Sequence, residues 1–140
     1  MSENAKQSRF EKIIPVPPPK HEIVRDNTTG LEWQAIPFDK RMTWKDADKA
    51  CRVLRLGGHE DWRLPTRAEL LTLVDDTRVS PAIDTDAFPG TPEEWFWTAT
   101  PYAGNPDTYA WVVYFDGGYS SISNRGYSDR VRAVRGPARQ

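Results

Sequence analysis

The 140 residues suffice for one compact domain with a single core and leave little room for a second. A formal net charge of −1 and a sequence pI near 6.1 give no global field to draw nucleic acid or an anionic membrane. The lone Cys51 excludes an intrachain disulfide, so packing must hold the fold.

Residues 1–20 are polar and then proline-rich (IIPVPPPK), a composition that favours extended polyproline II backbone. They read as a flexible tether or oligomer-contact arm ahead of a domain spanning 21–140. The N-terminal MSENAKQSRFEK has no hydrophobic signal core and no apolar run approaches a bilayer span. A soluble chain without membrane insertion is expected, cytoplasmic or virion-borne unless exported by another route.

From His21, two short apolar runs flank Asp26-Asn27-Thr28-Thr29-Gly30, which predicts a β-hairpin. Thr43 with Asp46 three residues on resembles a capping box, and Trp44, Ala47, Cys51 and Leu54 mark one helical face. A first helix over 44–56 follows, stopped by Gly57-Gly58, with Cys51 packed inside rather than offered as a reactive thiol. In DWRLPTRAELLTLVDD, Pro65 forces Leu64 out of helix, and Thr66 with Glu69 forms a full capping box for a second helix through Leu70, Leu71 and Val74. Residues 75–94 are polar and aperiodic, a long loop.

The segments EWFWTAT, TYAWVVYF, YSSIS and RVRAVR then read as antiparallel strands, with Asp116-Gly117-Gly118 turning one hairpin. The expected class is α+β: two helices packed on a small twisted antiparallel sheet with long irregular loops, the N-terminal hairpin joining that sheet. In this scheme RVRAVR is one framework strand, anchored by Val131 and Val134, whose Arg130 or Arg132 pairs with acids or touches an anionic ligand. Five arginines (Arg125, Arg130, Arg132, Arg135, Arg139) against Asp129 near the C-terminus make a local basic patch, or else a solvated face. As a patch, it would make sulfated glycans conceivable ligands.

The stretch YFDGGYSSISNRGYSD, 114–129, mixes Tyr with Ser, Gly and Asn as antibody paratopes do. Trp111, Tyr114, Tyr119 and Tyr127 are the candidate aromatic anchors, Asp116, Ser121, Ser123, Asn124 and Ser128 the polar contacts, and Arg130 the charged one. Trp33, Trp44, Trp62 and Trp97 are assigned to the core, while Trp95 and Trp111 stay open. His21 and His59 stand alone, against a zinc site. Asp75, Asp76, Asp84 and Asp86 could offer oxygens to calcium but lack the EF-hand spacing, so no cofactor is expected, with calcium the one alternative. No nucleophile with a base and no carboxylate pair with split environments is evident, which points away from an enzyme.

In order, DNTTGLEWQ, TWKDADKAC, GHEDWRLPTRAELLTLVD, FWTATPYAGNPDTYAWVVYFDGG and VRAVRG resemble the Lcl C-terminal domain, found at the C-terminus of bacterial collagen-like adhesins, over residues 21–136. The resemblance implies a C-type-lectin-like fold with a long loop region presenting a ligand surface. Domains of that fold are commonly sugar or protein binders, phage receptor-binding proteins, or targets of adenine-directed retroelement diversification. Such diversification of Asn codons cannot reach Trp, Lys, Glu, Gln or Met, and none of these occurs from Val112 to Arg139. The expected function is recognition of a protein or glycan receptor; the alternative is a structural oligomerisation or fibre-tip module attached through the proline-rich arm, a homo-oligomer.

Overall fold

The computed structural model describes residues 9–13 and 23–137. Two helices and two antiparallel sheets make a mixed α/β domain. The first sheet grows from the predicted hairpin: β2 (Ile23–Asp26) and β3 (Glu32–Gln34) pair across a turn in which Asp26 N–H donates to Leu31 O at 2.8 Å and the Asp26 carboxylate accepts from Thr28 N–H at 2.9 Å. Ahead of it, β1 (Phe10–Ile13) adds to β2 as an antiparallel strand. Four residues of the segment read as an arm are therefore sheet; residues 1–8 and 14–20 of that segment lie outside the described residues.

Helix α1 (Trp44–Val53) ends earlier than its periodicity predicts, because Leu54 is extended and the chain closes instead into a single tight turn, Leu56–Gly58. Gly57 has a φ of 67°, and a Cβ there would stand 2.4 Å from the Ile23 side chain, so only glycine lets this turn approach β2. Helix α2 (Arg67–Leu71) carries the predicted capping box in full. Beyond it, Thr72, Leu73 and Val74 donate to carbonyls three residues back, so the predicted last turn exists in tightened form.

The second sheet is a meander of β4 (Trp95–Pro101), β5 (Tyr109–Tyr114) and β6 (Tyr119–Asn124). Alternation along β5 divides the core: Val113 packs with Leu70, Leu73 and Phe96 on the α2 side, whereas Ala110 and Val112 pack with Ala47, Cys51 and Trp97 on the α1 side. Trp33, Trp62 and Trp97 are buried as expected, and Trp44 is half-buried with its indole N–H on Thr98 O. The long loop contributes Ile83 and Phe88 to the core.

The N-terminal hairpin does not join the β4–β6 sheet, and RVRAVR is not one strand. Only β7 (Val134–Arg135) is regular, and it pairs with β3, while Arg130 bridges to Phe96 at the outer edge of β4. Between these points the backbone is shared: Trp97 N–H donates to Arg130 O, Phe38 N–H to Val131 O, Gln34 N–H to Ala133 O, and Arg63 exchanges two bonds with Val134. The segment is a seam between the sheets. Val131 and Val134 anchor that seam, one in each half of the core, rather than a hairpin with β6.

Candidate functional site

The β5–β6 ladder is regular, with Tyr114 opposite Tyr119, Val112 opposite Ser121, Ala110 opposite Ser123, and Trp111 opposite Ile122. Strand alternation therefore separates the ten candidate residues. Tyr114, Tyr119, Ser121 and Ser123 share the face that also carries Trp95 of β4; Trp111 and Asn124 lie on the opposite one.

On the first face, Trp95 stacks on Tyr114 at 4.2 Å between centroids, and Tyr119 stands perpendicular to both at 5.7 and 5.4 Å. Tyr119 is 53% exposed, so a ring held by two others still meets solvent. Beside Trp95, the Glu94 carboxylate accepts from Arg130 (Nε to Oε1 at 3.0 Å, Nη2 to Oε2 at 3.2 Å) and from Arg41 Nε at 2.7 Å. These arginine bonds hold its carboxyl at about 2. Asp129 bonds Met42 through both backbone groups and accepts from Ser123 Oγ at 2.8 Å. Burial pushes its carboxyl above the usual range, a push that the Ser123 bond and nearby Arg41 only reduce.

The opposite face is internally satisfied. Arg67 of α2 lies 3.7 Å above the Trp111 ring and bonds Ser120 Oγ at 2.9 Å, while Tyr102 meets Trp111 edge to face at 5.8 Å. The remaining candidates play local parts. Asp116 ties the hairpin turn to the long loop, accepting from Ser80 Oγ at 2.7 Å, and the Asn124 side chain accepts from Gly126 N–H at 2.8 Å. Tyr127 and Ser128 are exposed on the segment crossing from β6 toward the edge of β4.

The basic patch does not form. Arg125 lies 4.2 Å over the Trp44 ring, Arg130 serves Glu94, and Arg135 bonds both Glu32 and Asp61. Arg139 is outside the described residues. Arg132 is buried, donating to Gln34 O and Ala35 O at 2.6 Å and to Thr91 Oγ1 at 2.8 Å beneath Phe88, so it neither pairs with an acid nor reaches a ligand. Burial lowers its guanidinium to about 9, still charged at neutral pH. Nothing here supports a preference for sulfated ligands.

Among the described residues, no group of three or more His, Cys, Asp or Glu is disposed to hold a metal ion. Asp75 accepts from Thr77 and Arg78, and Asp84 from Asp86 N–H, as turn residues do. His59 is partly exposed beside Glu32, and His21 is outside the described residues. The Cys51 thiol is buried and pushed up to about 12. Missed in the sequence were Arg41, Glu94 and Asp129 as rim groups. The partners of Arg41 and Glu94 stand 36 or 53 residues away, and Asp129 is held by Met42 backbone groups as well as by Ser123, pairings that no local pattern marks.

Two helices and two antiparallel sheets, with a partly exposed aromatic cluster edged by ion pairs, characterise a small mixed α/β domain. The chain belongs to the Lcl C-terminal domain family, whose model matches residues 22–135. The sequence matches no curated protein.

Proposed function

We propose that the chain is a non-catalytic ligand-binding domain with a C-type-lectin-like fold that recognises a protein or glycan receptor through the face of Trp95, Tyr114, Tyr119 and Ser121. The observation that carries this is the Tyr119 ring, pinned against a stacked Trp95–Tyr114 pair yet more than half exposed. A ring already ordered loses little side-chain entropy on contact and offers apolar area with a polar tip. Arg41, whose side chain is 56% exposed, adds a directional donor at the rim, held in place by its bond to Glu94.

The test uses arrays of neutral and acidic oligosaccharides and of recombinant extracellular proteins as probes. Against the best binder, Tyr119→Ala and Trp95→Ala should each weaken binding at least ~10-fold, the size expected of an aromatic anchor. Circular dichroism should confirm folding. Unchanged affinity in a folded Tyr119→Ala protein removes this face from consideration. Codon-by-codon sequencing of the gene across a population then separates a diversified binder, varying at adenines between Tyr102 and Asp129, from one with a fixed ligand.

A further inference from the structure

Among the described residues the two sheets have four edges, and three of them are blunted against further pairing. β1 carries the charged Glu11 and Lys12. β7 is two residues long, and on its outer side Val134 exchanges both backbone bonds with Arg63. The outer side of β4 is taken by the seam, where Trp97 N–H donates to Arg130 O and Arg130 N–H to Trp95 O, both at 2.9 Å. The edge strand β6 has none of these devices. Its sequence, Tyr-Ser-Ser-Ile-Ser-Asn, holds no charge and no proline, its ladder with β5 runs without a register shift, and Ile122 is 36% exposed. No described strand or bridge pairs with its outer side.

Just past the strand, Arg125 N–H donates to Thr108 O at 2.9 Å. Antiparallel bonding repeats at every second residue, so Tyr119, Ser121 and Ser123 bond β5, whereas Ser120 and Ile122 turn their N–H and C=O outward. The same alternation places the side chains of Tyr119, Ser121, Ser123 and Arg125 on one face, beside that outward row. Arg125 is partly exposed, with its guanidinium 4.2 Å over the Trp44 ring and its Nε buried without a hydrogen-bond partner. No carboxylate among the described residues pairs with it. An arginine held on a ring face keeps an edge of N–H donors for one.

We propose that the receptor is a polypeptide that adds an extended strand to the outer side of β6 and sets a carboxylate against Arg125. A strand supplies the repeating N–H and C=O groups that Ser120 and Ile122 can meet. A sugar has no such repeat, so this mode selects between the two receptor classes. The acid of the partner strand neutralises the cation at one end of the edge, while Tyr119 packs on its side chains at the other. Strand addition rests on the receptor-binding reading of the Tyr119 face and narrows its ligand.

The probes are short peptides from a random displayed library, selected on the full-length chain, the best of them then synthesised with capped ends. Strand addition predicts alternating β-branched residues with a Glu or Asp, and slowed amide exchange at Ser120 and Ile122 when the peptide binds the unaltered chain. Ile122→Pro removes an outward N–H and no bond to β5, so the chain should stay folded and bind the peptide at least ~10-fold more weakly. Arg125→Gln should weaken binding by a similar factor, and leave unmoved the affinity for a peptide with glutamine in place of its acid. Unchanged exchange at the two amides overturns strand addition, as does full affinity in a folded Ile122→Pro chain. In either case a loss of binding in Tyr119→Ala leaves the receptor face standing without the added strand, and no loss removes both. A chain that sediments as a dimer, and as a monomer once Ile122→Pro is made, gives the edge to a second copy and overturns strand addition too.

Discussion

Asp26 is fully buried and Asp129 partly so, yet their surroundings drive them in opposite directions. Burial acts to raise the Asp26 carboxyl, but the Arg9 clamp and the Thr28 N–H outweigh it and leave the group below its usual value. Its unfolded state binds more protons, so its contribution to stability is present above the unfolded value and is lost as pH falls through the folded one. Asp26→Asn should cost about 2 kcal/mol at pH 7, the scale of a hydrogen bond to a charged group. In urea titrations the gap from the parent should close on acidification. For Asp129 the sign reverses: its raised folded-state value means the folded state binds more protons, and stability falls as pH rises through that window. Asp129→Asn, which keeps an acceptor for Ser123, should raise the urea midpoint at pH 7 and lose that advantage at acid pH. A lower midpoint at pH 7 would show that Asp129 is stabilised by partners other than those seen.

The elements owe their ends to contacts a few residues long. Thr66 accepts from Glu69 N–H at 3.1 Å while the Glu69 carboxylate accepts from Thr66 N–H at 2.9 Å. The same carboxylate takes two bonds from Arg63, which also donates to Gly136 O at 2.7 Å. The cap of α2 is thereby fastened to the C-terminal seam. Thr66→Ala should cost about 1 kcal/mol, and Thr66→Ser should recover most of it, as judged by thermal unfolding. Gly118 turns the β5–β6 hairpin at a φ of 85°, and a Cβ there would stand 2.8 Å from Val74 and 3.2 Å from Ala82. Gly118→Ala should therefore lose more than about 1 kcal/mol, combining left-handed strain with a clash against the end of α2.

Across the whole molecule, the seam 130–135 decides how the two sheets sit together. Arg132 joins three segments at once, the exit of β3, Thr91 of the long loop and the seam that carries it. A lysine carries its three donors on one nitrogen and cannot span the acceptors that Arg132 reaches with two, Nη1 to the carbonyls and Nη2 to Thr91, so Arg132→Lys should cost at least about 2 kcal/mol in urea denaturation, with no gain of ligand affinity. If that variant were as stable as the parent, the seam would not depend on the guanidinium.

Much of this was legible without coordinates, because the signals are local. The turn at Asp26–Gly30, the Thr66–Glu69 cap, the break at Pro65 and the meander strands each depend on residues within a few positions of one another, and all form as read. The burial of Trp33, Trp62 and Trp97 was expected from strand motifs that resemble the family framework. What the sequence could not decide was the use of its arginines and the division of its aromatic residues. Arg130 is spoken for by an acid 36 residues away, and Arg132 by carbonyls 97 and 98 residues away. Tyr119 and Trp111, in one contiguous polar and aromatic hairpin, fall on opposite faces, one open and one beneath Arg67. Charge and composition are properties of the chain; which charge is neutralised and which ring meets water are set by packing, since only tertiary contact brings the partner or excludes the solvent.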